Sequence, residues 1–231
     1  DLEVTGRLRY APGETYINNK LRRRVINLDA PVFSVAHTIG FDGILEGEYN
    51  YNYTEVGIYK RFWLSSWGKL DVSVKGGIQW NQVPYPLLIF PAANQSYIIA
   101  PETFNLINTM EFLNDRFASL MVSWDINGKI LNRIPLVKKL HWREYIGFRM
   151  LFGELTDKNN PLLPQNVDNS RLMYFPEGVN VMNPNKPYTE IVLGIHNIVK
   201  IWHVEYVRRL SYNNLPTSPK WGMRYVIAFS F

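Results

Sequence analysis

Trp221-Gly222-Met223-Arg224-Tyr225-Val226-Ile227-Ala228-Phe229-Ser230-Phe231 closes the chain, and its alternation decides how the rest is read. The odd positions, Trp221, Met223, Tyr225, Ile227, Phe229 and Phe231, are all large and apolar. The even positions, Gly222, Arg224, Val226, Ala228 and Ser230, are mostly small or polar. A strand turns successive side chains to opposite faces, so one face here wants hydrocarbon and the other tolerates water. The segment is as long as a tilted membrane-crossing strand needs to be, roughly 9–11 residues. An edge strand of a soluble sandwich is the competing reading of this stretch taken alone.

Composition narrows the choice. A chain of 231 residues suffices for one large all-β domain or two small ones. Aromatics reach 14%, with 14 Tyr and 7 Trp, more than a soluble core requires and apt for girdles at two membrane–water boundaries. No apolar run is long enough for a transmembrane helix, but a barrel crosses with alternating residues, so a mean hydropathy of −0.17 is compatible with it. Cysteine is absent, which excludes disulfides and thiolate chemistry. The net charge of +5 invites a nucleic-acid reading. Its clusters (Lys20 with Arg22 to Arg24, Lys60 with Arg61, Lys138 with Lys139) fall near turns, and no nucleic-acid-binding signature accompanies them, so no nucleic-acid partner is expected. The chain begins at Asp1 without an initiator Met or signal peptide, as a processed or partial sequence would.

The same period-two pattern recurs along the chain. It predicts nine strands: Leu2–Tyr10, Pro31–Ile39, Thr54–Leu64, Lys69–Trp80, Phe117–Ile130, Trp142–Phe152, Tyr188–Val199, Ile201–Tyr212 and Trp221–Phe231. In the fifth, Ala118, Leu120, Val122, Trp124 and Ile126 face outward, and Ser119, Ser123, Asp125, Asn127 and Lys129 inward. Lys60 falls on an apolar side, where it must snorkel, and Arg208 interrupts another. The connections alternate between short (Ser65–Gly68, Asn132–Leu140, Val199–Lys200) and long (Gly40–Asn52, Asn81–Asn114, Leu155–Lys186). Short turns at one end and long loops at the other mark an outer-membrane barrel, with the short end and the C-terminus periplasmic. The apolar Asn81–Asn114 excursion is expected to pack over or into a barrel mouth. Single-chain bacterial barrels have even strand numbers, so nine suggests the C-terminal portion of a larger barrel, or a strand missed near Pro31–Ile39.

The closing aromatic resembles the terminal strand of bacterial outer-membrane barrels. That likeness implies an assembly signal in Tyr225, Ile227, Phe229 and Phe231, read by the barrel-assembly machinery. Several stretches also resemble an outer-membrane family of the Bacteroidota: Leu8-Arg9-Tyr10-Ala11-Pro12-Gly13-Glu14, Pro31-Val32-Phe33-Ser34, Pro84-Tyr85-Pro86-Leu87-Leu88, Phe104-Asn105-Leu106 and Asn114-Asp115-Arg116-Phe117-Ala118-Ser119-Leu120. The most telling is Asn127 through Leu140 (Asn-Gly-Lys-Ile-Leu-Asn-Arg-Ile-Pro-Leu-Val-Lys-Lys-Leu), followed by Trp142-Arg143-Glu144. Members carry an N-terminal carboxypeptidase-regulatory-like domain and end in a barrel of unknown function. The resemblance implies a transmembrane β-barrel in contact with outer-membrane lipids and lipopolysaccharide, and it implies no chemistry.

The residues themselves offer little catalysis. His37, His141, His196 and His203 lie on different strands or strand ends without metal-ligand spacing. A polar lumen network is expected from Asp71, Lys75, Asp125, Lys129, Arg149, Glu190, His196, Glu205, Arg209 and Arg224. No nucleophile or oxyanion hole accompanies these charges, so neither an enzyme nor a cofactor is expected. The function expected is an outer-membrane barrel in an envelope transport or biogenesis assembly, with other outer-membrane proteins as possible partners. The alternatives are a non-transporting barrel anchoring a periplasmic domain, a barrel-assembly-type translocase, and a TonB-dependent uptake barrel.

Overall fold

The computed structural model describes residues 2–19, 22–44, 47–166, 169, 171–216 and 218–227. Its strands are β1 (Leu2–Tyr10), β2 (Tyr16–Asn18), β3 (Arg23–Val25), β4 (Val32–Phe41), β5 (Tyr51–Trp63), β6 (Lys69–Gln79), β7 (Arg116–Asp125), β8 (Arg143–Glu154), β9 (Tyr188–Ile198), β10 (Trp202–Arg209) and β11 (Trp221–Ile227). Nine of them form one antiparallel sheet in the order β1-β4-β5-β6-β7-β8-β9-β10-β11, and β2 pairs only with β3 as a small ribbon. Each predicted strand has its counterpart in the sheet, including β4, whose two faces are poorly distinguished in the sequence. Among the described residues β1 and β11 do not pair with each other, so the nine-stranded sheet is open. No helix among the described residues is long and apolar enough to cross a membrane.

Cross-strand register assembles one face from hydrocarbon. Phe33, Ile58, Val74, Leu120 and Met150 stand opposite one another along one row. Phe62, Leu70, Trp124, Ile146, Leu193, Tyr206 and Met223 form a second. Apart from the β2–β3 ribbon, the described residues form no second sheet that could stack on this face. Val56, Ile58, Val74 and Leu193 remain 42–49% exposed, and Ile227 66%. Trp63 and Trp202 stand exposed at one end of the strands, Trp80 and Trp221 at the other. Lys60 leaves the apolar face by donating through Nζ to the Asp29 carbonyl at 2.5 Å.

Several boundaries differ from expectation; β8 runs on to Glu154 and β10 already ends at Arg209. The predicted fifth strand stops at Asp125, because Asn127 and Gly128 adopt φ of 59° and 76° and turn the chain away. Ile126 is therefore buried, not outward, and Lys129 does not join the polar face: its Nζ lies 3.0 Å from Ser66 Oγ and 5.8 Å from the Trp67 ring centre. The predicted Gly40–Asn52 loop shrinks at both ends as β4 runs to Phe41 and β5 starts at Tyr51. The connection 126–142 is consequently longer than 42–50, so length does not sort every connection by end. The two longest excursions, 80–115 and 155–187, do share one end. The turn at 64–68 depends on Gly68 at φ 79°, where a Cβ would meet the Asp125 carbonyl oxygen at 2.0 Å. Phe229 and Phe231 of the terminal segment lie outside the described residues.

Candidate functional site

The face opposite the hydrocarbon carries polar side chains, and the excursion 80–115 folds down onto it. Glu190 of β9 is fully buried. Its Oε1 accepts the Asn105 amide at 2.9 Å, and its Oε2 accepts the Leu106 amide at 3.2 Å and the Tyr188 hydroxyl at 2.9 Å. Arg149 of β8 stands 3.4 Å from the same carboxylate and donates to the Thr103 carbonyl. Two consecutive loop amides thus find in Glu190 the partner that a buried backbone requires.

Arg209 of β10 completes the clamp. Its Nη2 donates to Glu111 Oε1 at 2.5 Å and its Nη1 to Oε2 at 3.2 Å, a bidentate pair with both side chains excluded from solvent. Nη1 also donates to the Leu106 carbonyl at 3.0 Å, and Nε to the Ser211 carbonyl at 3.0 Å. Arg224 of β11 donates to the Asn105 carbonyl. Apolar packing follows the same path. Leu106 sits with Val192 and Val207, and Phe104, Ile107 and Phe112 with Leu151, Met182, Tyr188 and Tyr212.

The excursion 155–187 locks against the first one. Asp115, fully buried, accepts from the Thr156 amide at 3.1 Å, the Thr156 hydroxyl and Asn159 Nδ2 at 2.9 Å. Val83, Leu88, Leu113 and Leu155 form the apolar counterpart of that joint. The first excursion also reaches the rim of the sheet. The Tyr225 amide donates to the Tyr97 carbonyl at 2.8 Å, and the Ile99 amide to the Tyr225 carbonyl at 3.1 Å.

Between the excursion and the other end of the sheet lies a cavity of about 650 Å³, lined among others by Asp71, Asp125, Arg143, Tyr145, His196 and Glu205. His196 Nε2 is 3.1 Å from Glu205 Oε1, its ring stacks on Tyr145 at 4.7 Å, and the His203 ring lies 4.5 Å away. Arg61 binds Asp71 through Nε at 2.6 Å and Nη2 at 2.8 Å. Among the described residues, no three His, Asp or Glu side chains are grouped to hold a metal ion.

The network predicted from sequence therefore divides. Arg149, Glu190, Arg209 and Arg224 hold the excursion, while Asp71, Asp125, His196 and Glu205 line the cavity below it. Lys75 pairs with Glu102 of the excursion at 2.6 Å in a half-exposed setting. Lys129 is not part of either group. Glu111, Asn105 and Tyr188 escape the sequence reading. The first two lie in a segment without periodicity, and Tyr188 stands at a strand end with no partner marked in the sequence.

Residues 1–160 match the C-terminal domain of a family of unknown function, DUF5686. The chain belongs to that family. No curated protein matches the chain. The match spans β1 to β8 and the whole excursion 80–115, so both the clamp's loop side and Arg149 lie within the matched region, while Glu190, Arg209 and Arg224 come after it.

Proposed function

We propose that this DUF5686 domain is part of a β-barrel in the outer membrane of a Gram-negative, Bacteroidota-type envelope. In this reading it serves as a plugged component of an envelope transport or biogenesis assembly. The observation that carries the proposal is the two-faced sheet. Its hydrocarbon face runs uncovered across nine strands, and its polar face is occupied by the chain's own excursion. Water does not reward exposure of so much contiguous apolar surface, whereas lipid does. In this reading 80–115 and 155–187 lie outside the cell and β11 ends at the periplasmic side.

The plug separates two of the roles. An open diffusion pore leaves its lumen to water, whereas here buried ion pairs and backbone hydrogen bonds lay the excursion across part of the polar face, beside a cavity of about 650 Å³. That arrangement favours a platform or a gated component over a passive channel. The test is planar-bilayer conductance of the full-length protein. The proposal expects no steady open-channel current from the wild type, and openings once Glu111→Ala loosens the clamp. A large constant conductance in the wild type overturns the plugged reading.

A further inference from the structure

The connection between β7 and β8, residues 126–142, is much longer than the 64–68 and 199–201 turns at the same end of the sheet. Its backbone is tightly organised. The Ile126 amide donates to the Glu144 carbonyl at 2.9 Å, and the Glu144 carboxylate accepts the Ile130 amide at 3.1 Å and the Leu131 amide. The Asn132 amide bonds the Gly128 carbonyl at 3.0 Å, the Lys138 amide the Ile134 carbonyl at 2.9 Å, and Asn197 Nδ2 the His141 carbonyl at 2.7 Å. Yet this frame buries little of its own hydrocarbon. Ile130, Ile134, Leu136 and Leu140 are 50%, 48%, 78% and 48% exposed.

Cations are interleaved with these side chains. Lys129, Arg133, Lys138 and Lys139 share the segment, and no Asp or Glu occurs between Asp125 and Glu144. Arg133, Lys138 and Lys139 are exposed and form no ion pair among the described residues. The segment follows the outward residues of β7 directly in the chain, and Lys129 at its start lies 5.8 Å from the Trp67 ring centre. Trp124, the outward residue of β7 next to it, donates from Nε1 to the Trp67 carbonyl at 2.9 Å, and the two indoles lie 6.1 Å apart. An apolar surface studded with cations, running on from a hydrocarbon belt and its tryptophans, has the chemistry of an interfacial anchor.

We propose that residues 130–140 dock onto anionic phospholipid headgroups at the short-turn end of the barrel. Ile130, Ile134, Leu136 and Leu140 enter the acyl boundary, and Arg133, Lys138 and Lys139 meet the phosphates. Charge complementarity selects an anionic lipid over a neutral one, and continuity with the belt selects a bilayer over a protein partner. This inference rests on the membrane reading above, and the experiment separates the two.

Two single-cysteine variants of the protein carry a polarity-sensitive label. Leu136→Cys reports on the proposed anchor and Val74→Cys on the middle of the hydrocarbon face. Each is placed in nanodiscs of phosphatidylcholine with or without phosphatidylglycerol, and quenching by acrylamide is measured. The Val74 label is expected to be apolar and shielded in both bilayers. The Leu136 label is expected to be quenched about threefold less in the anionic bilayer, and R133Q/K138Q/K139Q is expected to erase that difference. An aqueous Val74 label sinks the membrane reading itself. A lipid-embedded Val74 label with a Leu136 label indifferent to phosphatidylglycerol, or to the triple substitution, overturns the headgroup site alone. Shielding of Leu136 that arises only on adding periplasmic extract also overturns it, in favour of a protein occupant.

Discussion

Arg209 and Glu111 stand 98 positions apart in the chain and meet as a doubly hydrogen-bonded pair at 2.5 and 3.2 Å, neither side chain reaching solvent. One comes from a strand and the other from the excursion laid across the polar face, so the pair ties the loop to the sheet. Two charges taken out of water repay that cost only when each keeps the other.

Removing one partner is therefore worse than removing both. Glu111→Ala leaves the Arg209 guanidinium buried without its carboxylate and is expected to cost about 3–5 kcal/mol. The double variant Arg209→Met/Glu111→Leu is expected to lose less than Glu111→Ala alone. Thermal unfolding in detergent, with hydrogen exchange over 80–115, reads both. Equal losses in the single and double variants contradict the clamp.

Gly153 marks how closely the two excursions approach the sheet. A Cβ there would sit 2.3 Å from Asn114 Oδ1 and 2.6 Å from Met182 Sδ, whereas one at Gly6 meets nothing within 4 Å. Gly153→Ala is expected to destabilise by about 1–3 kcal/mol through overpacking, and Gly6→Ala to have no such overpacking cost. Denaturant titration of the two variants side by side checks the contrast.

The two faces of β7 predict opposite tolerance of charge. Val122 belongs to the hydrocarbon face, and its neighbour Ser123 lines the polar cavity. In a bilayer, Val122→Lys is expected to cost about 2–4 kcal/mol and to lower the yield of assembled protein, while Ser123→Lys assembles. The fraction migrating as a folded, heat-modifiable species on electrophoresis is the measurement. Equal tolerance at both positions argues against lipid on the Val122 side.

The link ahead of the β2–β3 ribbon carries a predicted titration. Glu14 receives Arg9 Nη1 at 2.7 Å, Arg9 Nη2 at 2.6 Å and the Tyr16 hydroxyl at 2.5 Å. The Arg9 hydrogen bonds first, and then that of Tyr16, lower its carboxyl from the ordinary 4.5 to about 2. The folded value is depressed, so the contribution to stability is complete above about pH 4.5 and fades as pH falls through about 2. Carbon-13 titration of the Glu14 carboxyl is expected to show a midpoint near the lower value. A midpoint near the ordinary one disproves the cluster.

Most of the sheet was legible because each strand carries a face. Leu70 to Trp80 alternates so regularly that a one-residue slip would turn its apolar side chains to the wrong side, and Phe117 to Trp124 does so less cleanly, since Phe117 and Met121 face inward with Ser119 and Ser123. The end of β7 was not legible, since Ile126 and Lys129 continue the alternation while Asn127 and Gly128 end the strand through backbone conformation. Half the clamp was legible: Arg149, Glu190, Arg209 and Arg224 are charges on the polar parity of strands. Their partners were hidden, because Glu111, Asn105 and Thr103 lie in a segment with no period, and what they bind is fixed only by the folded path of the loop. The β2–β3 ribbon is too short for alternation to announce it.

The central claim is that lipid covers one face of the sheet, and a cysteine scan through β7 from Arg116 to Asp125 tests it most directly. With a polarity-sensitive label at each position of the full-length protein in nanodiscs, the account predicts apolar signals at positions 118, 120, 122 and 124. Polar or protein-quenched signals are predicted at 117, 119, 121 and 123. A scan without that alternation, or aqueous signals at 120 and 122, would contradict it.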